Sequence, residues 1–184
     1  FRVGAQPAAG AAASAAPGGI APIETTTGAL PILDVSTDYQ YLVAGDLLAT
    51  VSAQTLLLYD RIFAVAKTMN STATESVTGV PTRYQSSTPS AADYAGGNFL
   101  FIECGTALPA TAHNWTTCTY RDDAGNDSQT LPSVTGNSSN IVNRLDQPTG
   151  TWFCPLATGD VGIMDLAQLQ CSAAVATGAI DFVI

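Results

Sequence analysis

One histidine occurs in the 184 residues, so imidazole chemistry must run through His113. A triad needs that ring beside a nucleophile and an orienting carboxylate. His113 sits in TALPATAHNW, which lacks a G-x-S-x-G elbow. It reads as an exposed loop side chain. The four cysteines, Cys104, Cys118, Cys154 and Cys171, contain no C-x-x-C pair, and only His113 could join them around a metal. Buried thiols acting as small apolar fillers are favoured over a disulfide, and a disulfide over a metal site. The segment DDAGND places Asp122, Asp123, Asn126 and Asp127 on one tight turn. Hard oxygen ligands there could hold calcium, but the EF-hand spacing is absent and Asx-rich hairpins are common.

Carboxylate pairs for glycoside hydrolysis come from distant strands and cannot be read from spacing. Only Glu24, Glu75 and Glu103 are glutamates. Glu103 lies inside the apolar run FIEC, where a hydrogen-bonded or salt-bridged structural carboxylate is the better reading than a general acid. The triplet Tyr59-Asp60-Arg61 sets opposite charges between Leu56–Leu58 and Ile62–Phe63. In a strand Asp60 and Arg61 project to opposite faces and cannot pair with each other. Each needs another partner or solvent, because an unpaired buried charge is costly. They read either as register-fixing or subunit-contact residues or as an exposed edge pair.

Strands must position these groups, and the composition says why. Charged residues make up 11% of the chain, against roughly 25% in an ordinary soluble domain. Glu and Lys, the usual polar filler of helices, are nearly missing, with Lys67 the one lysine. Thr instead occurs 23 times and Ser 13 times. Thr suits a pleated surface and is a poor helix former. The solvated faces are therefore expected to be strands coated with hydroxyls. The net charge of −9 and the scattered cations argue against a nucleic-acid partner and against an anionic membrane surface.

Residues 1–27 read as an extended Ala/Gly/Pro-rich arm, uncharged from Val3 to Ile23, and 28–184 as one β-domain. Strands are expected at Tyr39–Val43, within 51–67, and at Asn98–Cys104, Trp115–Arg121, Ser128–Leu131, Thr151–Cys154 and 179–184. Ile163–Cys171 suits either period. A hairpin is expected at Asp122–Asp127, with Gly125 supplying positive φ. Turn signals between short strands indicate an all-β sandwich or barrel.

Four short motifs carry a resemblance. They are LYDRI at 58–62; E-x-x-T-A-L-x-A-T at Glu103, Thr106, Ala107, Leu108, Ala110 and Thr111; Y-x-x-x-x-G at Tyr120 and Gly125; and L-x-x-G-D-x-G at Leu156, Gly159, Asp160 and Gly162. Together they resemble a group of tailed-bacteriophage virion proteins. The resemblance implies a virion structural protein, a capsid decoration (cement) protein with a β-sandwich or jelly-roll fold that trimerises on the head lattice. The cysteines and the arm fall outside the shared motifs. The resulting expectation is a non-enzymatic, cofactor-free phage protein on the capsid surface, with the major capsid protein and its own copies as partners. Tyr59, Asp60, Arg61, Glu103 and Trp152 are its candidate structural or subunit-contact residues. A tail or fibre component with a host-binding role, or a secreted carbohydrate-binding module using Trp115 and Trp152 as platforms, are the alternatives.

Overall fold

The computed structural model describes residues 12–13, 19, 61–67, 69–80, 98–142, 144–148, 150–151 and 153–184. Tyr39–Val43, Tyr59, Asp60, Trp152 and most of the arm lie outside them. Within the described residues the chain is all-β, with ten strands and no helix. The strands are β1 Ala12–Ala13, β2 Ala64–Lys67, β3 Glu75–Ser76, β4 Phe101–Thr106, β5 Asn114–Trp115, β6 Thr119–Asp122, β7 Gln129–Thr130, β8 Val134–Thr135, β9 Ile163–Leu169 and β10 Ala179–Val183.

They form two four-stranded sheets, β1-β2-β10-β4 and β3-β9-β6-β7, and a ribbon of β5 with β8. All pairings are antiparallel except the short parallel one between β1 and β2. Such sheets sharing one core are consistent with a β-sandwich. The main hydrophobic cluster draws Phe63 and Val65 beside β2 and within it, Ile102 and Cys104 from β4, and Ile180 and Phe182 from β10. From the second sheet it takes Tyr120, Leu166 and Leu169, and from the ribbon Trp115 and Val134. The Trp115 and Phe182 rings meet edge to face at 4.9 Å, the geometry their quadrupoles favour.

The alternation of AIDFVI holds. Ile180, Phe182 and Ile184 enter the main core, while Val183 joins Ala64 and Phe101 in a smaller cluster. Since successive strand residues face opposite ways, the first sheet is covered on both faces. Hydroxyls occupy solvated strand positions as composition implied: Ser76, Thr106, Thr130 and Thr135 are exposed.

Local turn chemistry explains the remaining elements. Gly125, at φ 88°, closes the hairpin between β6 and β7 in the left-handed region that glycine enters without strain. The expected strand Trp115–Arg121 is divided, because Thr117 adopts φ 49° and separates β5 from β6. Ile163–Leu169 resolves as strand. Thr151–Cys154 has no strand among its described residues. There the Thr151 hydroxyl and N–H both bond back to the Pro148 carbonyl, at 2.7 and 3.1 Å, which makes a turn.

Candidate functional site

The outer face of the first sheet carries an ionic centre. On β4 and β10, Glu103 and Asp181 are register partners directly across the ladder, where like charges repel. Arg61, just before β2, answers them: its Nη1 donates to Glu103 Oε2 at 3.1 Å, with both side chains nearly buried. Nε and Nη2 of Arg61 are buried with no hydrogen-bond partner among the described residues. Among the described residues, one cation thus lies against both carboxylates. Burial pushes the Asp181 carboxyl up to about 6; Arg61 opposes that rise and the Glu103 charge adds to it. Gly105 leaves the space this needs, since a Cβ there would lie 2.9 Å from Asp181 Oδ2.

Next to this centre is an apolar surface. Phe99 and Phe153 stack at 4.0 Å, and Phe153 meets the buried Phe101 edge-on at 5.4 Å. Phe99 and Phe153 remain 39% and 37% exposed. Charge and aromatic surface therefore share one side of the sheet.

A second ionic centre lies in the interior, around Asp146. Its Oδ2 accepts from His113 Nε2 at 2.8 Å and Trp115 Nε1 at 2.9 Å. Its Oδ1 accepts from the Asn137 N–H at 3.0 Å and Asn140 Nδ2 at 2.9 Å. Burial alone would raise this carboxyl, but the bonds from His113, Asn137 and Asn140 outweigh it and hold it below the ordinary carboxylate range. His113 is the mirror case. Burial alone would lower it; the bonds to Asp146 and to the Thr111 carbonyl, 3.1 Å from Nδ1, raise it instead.

His113 is therefore not an exposed loop side chain. It is 3% exposed and is pressed against Gly136, where a Cβ would fall 2.2 Å from Nε2. Both ring nitrogens are engaged, Nε2 with the Asp146 carboxylate and Nδ1 with the Thr111 carbonyl. In this geometry it has no free nitrogen with which to take a proton from a substrate. Trp115 is fully buried in the same network and offers no platform to a sugar.

A third buried pair joins the two sheets. Lys67 Nζ on β2 reaches Glu75 Oε1 on β3 at 2.8 Å and the Ser71 carbonyl at 3.3 Å. Sequence reading did not single out Lys67, Asp146 or Asp181. The low charge content was the available signal, because a rare charge inside an apolar run seldom lacks a structural reason.

The four recognised motifs meet in pairs. Arg61 of the first binds Glu103 of the second. The Tyr120 hydroxyl of the third donates to Asp160 of the fourth and accepts the Ala157 N–H at 2.8 Å. Burial, with that bond to Asp160, raises the Tyr120 hydroxyl well above its ordinary value. The Asx-rich hairpin joins the same contact, with Asp123 Oδ1 accepting from the Val161 N–H at 3.1 Å. Asp122 accepts from the Asn126 N–H and side-chain amide, both at 2.7 Å, and Asp127 pairs with Arg121. These carboxylates are thus used within the turn and its contacts. Among the described residues no group of three His, Cys, Asp or Glu side chains is placed to hold a metal ion.

All four cysteines are buried free thiols. Burial pushes Cys104 up to about 11 and Cys118 up to about 12, so little reactive thiolate forms at neutral pH. Of the candidate contact residues, the structure brings Arg61 and Glu103 together. Comparison of the chain with protein-family models, with curated proteins and with solved structures finds no match.

Proposed function

We propose that the chain is a non-enzymatic decoration (cement) protein on the outside of a tailed-phage head. In this reading it is a jelly-roll-like β-sandwich over 28–184 with an extended arm over 1–27. It acts as a homotrimer, with the major capsid protein as its partner. The observation that carries the reading is the pairing of the recognised motifs, Arg61 with Glu103 and Tyr120 with Asp160. Residues that form such contacts fix loops and strand ends, which is what a rigid stacking unit requires. Two further features support it. The Asp146, Lys67 and Arg61 centres direct their charges to internal partners. The hydroxyl-coated strands allow close association with few charges to desolvate.

Electron microscopy of particles carrying the protein tests this reading. Density for hundreds of copies over the head exterior is the expected result. A few copies on the tail would replace it with the tail or fibre reading. Absence from particles, together with a glycan-binding signal in calorimetry, would replace it with the carbohydrate-binding one.

A further inference from the structure

Between Asn137 and Thr151 the chain borders a cleft of about 470 Å³, a volume typical of small-molecule sites. Its walls are held by bonds within the chain. Asn137 Nδ2 spans the Leu145 and Gln147 carbonyls at 3.0 and 2.9 Å. Asn140 Nδ2 reaches Asp146 Oδ1 at 2.9 Å, and its Oδ1 accepts from the Ile141 N–H at 3.0 Å. Gln147 Nε2 donates to Thr151 Oγ1 at 3.1 Å. Ser139 is held at φ 57°, a left-handed conformation uncommon for serine, while its N–H is tied to the Pro109 carbonyl at 2.9 Å. Backbone of this kind persists only where the surroundings impose it, and it clusters at ligand sites. Walls fixed beforehand spare a ligand the cost of ordering them.

Charge singles out one residue of the lining. The other described Lys and Arg side chains are taken: Arg61 pairs with Glu103, Lys67 with Glu75 and Arg121 with Asp127. Arg144 is exposed, lines the cleft and has no carboxylate partner among the described residues. No carboxylate stands in the described lining to oppose an anion. The Asp146 charge behind Asn140 is already bound by four donors. The rest of the lining is neutral, with exposed hydroxyl residues at Ser138 and Ser139 and apolar surface from Ile141 and Pro148. We propose that the cleft binds a carboxylate-bearing sugar, a uronic acid or a glycan containing one. Arg144 pairs with the sugar carboxylate, in the bidentate geometry that its planar fork favours. Ser138 and Ser139 exchange hydrogen bonds with the ring hydroxyls, and Ile141 covers the C–H face of the ring. A single cation among neutral hydroxyls suits one monovalent carboxylate better than a phosphate, whose charge is about −1.5 to −2. The proposal goes beyond the assembly reading and does not depend on it, since sugar binding is measured on the purified chain.

Saturation-transfer NMR and calorimetry of the full-length protein with glucuronate, glucose and inorganic phosphate test the assignment. Binding of glucuronate is the expected result, with glucose weaker by about tenfold or more, because glucose keeps the ring and lacks the carboxylate. Arg144→Gln should lower glucuronate affinity by a similar factor. Arg121→Gln, which removes the same charge outside the cleft, should leave it unchanged. Ser139→Gly keeps the left-handed backbone and removes the hydroxyl; it should weaken glucuronate binding while circular dichroism shows the fold intact. The proposal is overturned if glucuronate gives no signal, if glucose or phosphate binds as tightly as glucuronate, or if the two arginine variants lose binding equally.

Discussion

Asp146 and Asp181 are both buried carboxylates, yet the protein treats them oppositely. Asp146 accepts four hydrogen bonds, one of them from the His113 ring, and is kept below the ordinary carboxylate range. Asp181 faces Glu103 across the ladder, feels the Arg61 guanidinium that Glu103 binds, and rises to about 6. Polar satisfaction separates them more than depth of burial does. A charge inside a protein is stable only when bonds replace the water it has lost. The Asp146 centre meets that condition and ties Asn137, Asn140 and Asp146 to His113 and Trp115. At the Arg61 centre, two guanidinium nitrogens have no hydrogen-bond partner among the described residues. It also lies beside the exposed Phe99–Phe153 pair.

The largest expected effect comes from the satisfied centre. Asp146→Ala removes the carboxylate that accepts from the His113 ring, the Trp115 indole, the Asn137 N–H and the Asn140 amide. A loss of about 3–5 kcal/mol in urea unfolding is expected. Asp181→Asn should act in the other direction, because it removes a repulsive charge. Asp181 binds its proton more tightly folded than unfolded, so ionising it disfavours the folded state. Its contribution to stability is full below the ordinary value of 3.8 and is lost as pH rises towards about 6. The asparagine variant should show a flatter stability profile over that interval and should be more stable than the parent at pH 7. If both substitutions destabilise equally at pH 7, the contrast between the centres is wrong.

His113 sharpens the contrast. Its folded value is raised above 6.5, so the stability it contributes is full below 6.5 and disappears as pH rises through the folded value. Asp146 has the opposite sign: its contribution is present above 3.8 and is lost as pH falls through its depressed folded value. As the chain's one imidazole, His113 gives an unambiguous NMR titration, which should show a midpoint above 6.5. His113→Gln should remove the alkaline decline in thermal stability. The smallest effect belongs to the Arg121–Asp127 pair, whose Asp127 side chain is 67% exposed. Asp127→Ala should leave stability in urea close to that of the parent, and salt should erase any difference.

The sequence made local features legible. Gly125 announced its hairpin, the alternation of AIDFVI announced β10, and the excess of threonine over lysine and glutamate announced hydroxyl-coated strands. Each of these signals lies within a few residues. His113 was misread because its acceptor, Asp146, is 33 residues away and nothing around either residue marks the pair. Arg61 and Glu103 each stood out as charges in apolar runs, but their contact depends on strand order, which spacing does not encode. The opposition of Asp181 to Glu103 depends on the β4–β10 register for the same reason. Thr151–Cys154 has the composition of a strand, yet Thr151 turns back onto the Pro148 carbonyl and, among the described residues, the segment's contact with the β4 side is a lone bond from the Cys154 N–H to the Leu100 carbonyl.

Sedimentation velocity over a wide concentration range tests the central claim, that this domain exists to stack against its own copies, most directly. Homotrimeric assembly predicts a dominant species with the mass of three 18.9 kDa chains, persisting on dilution. A species that remains at the mass of a single chain throughout would contradict it.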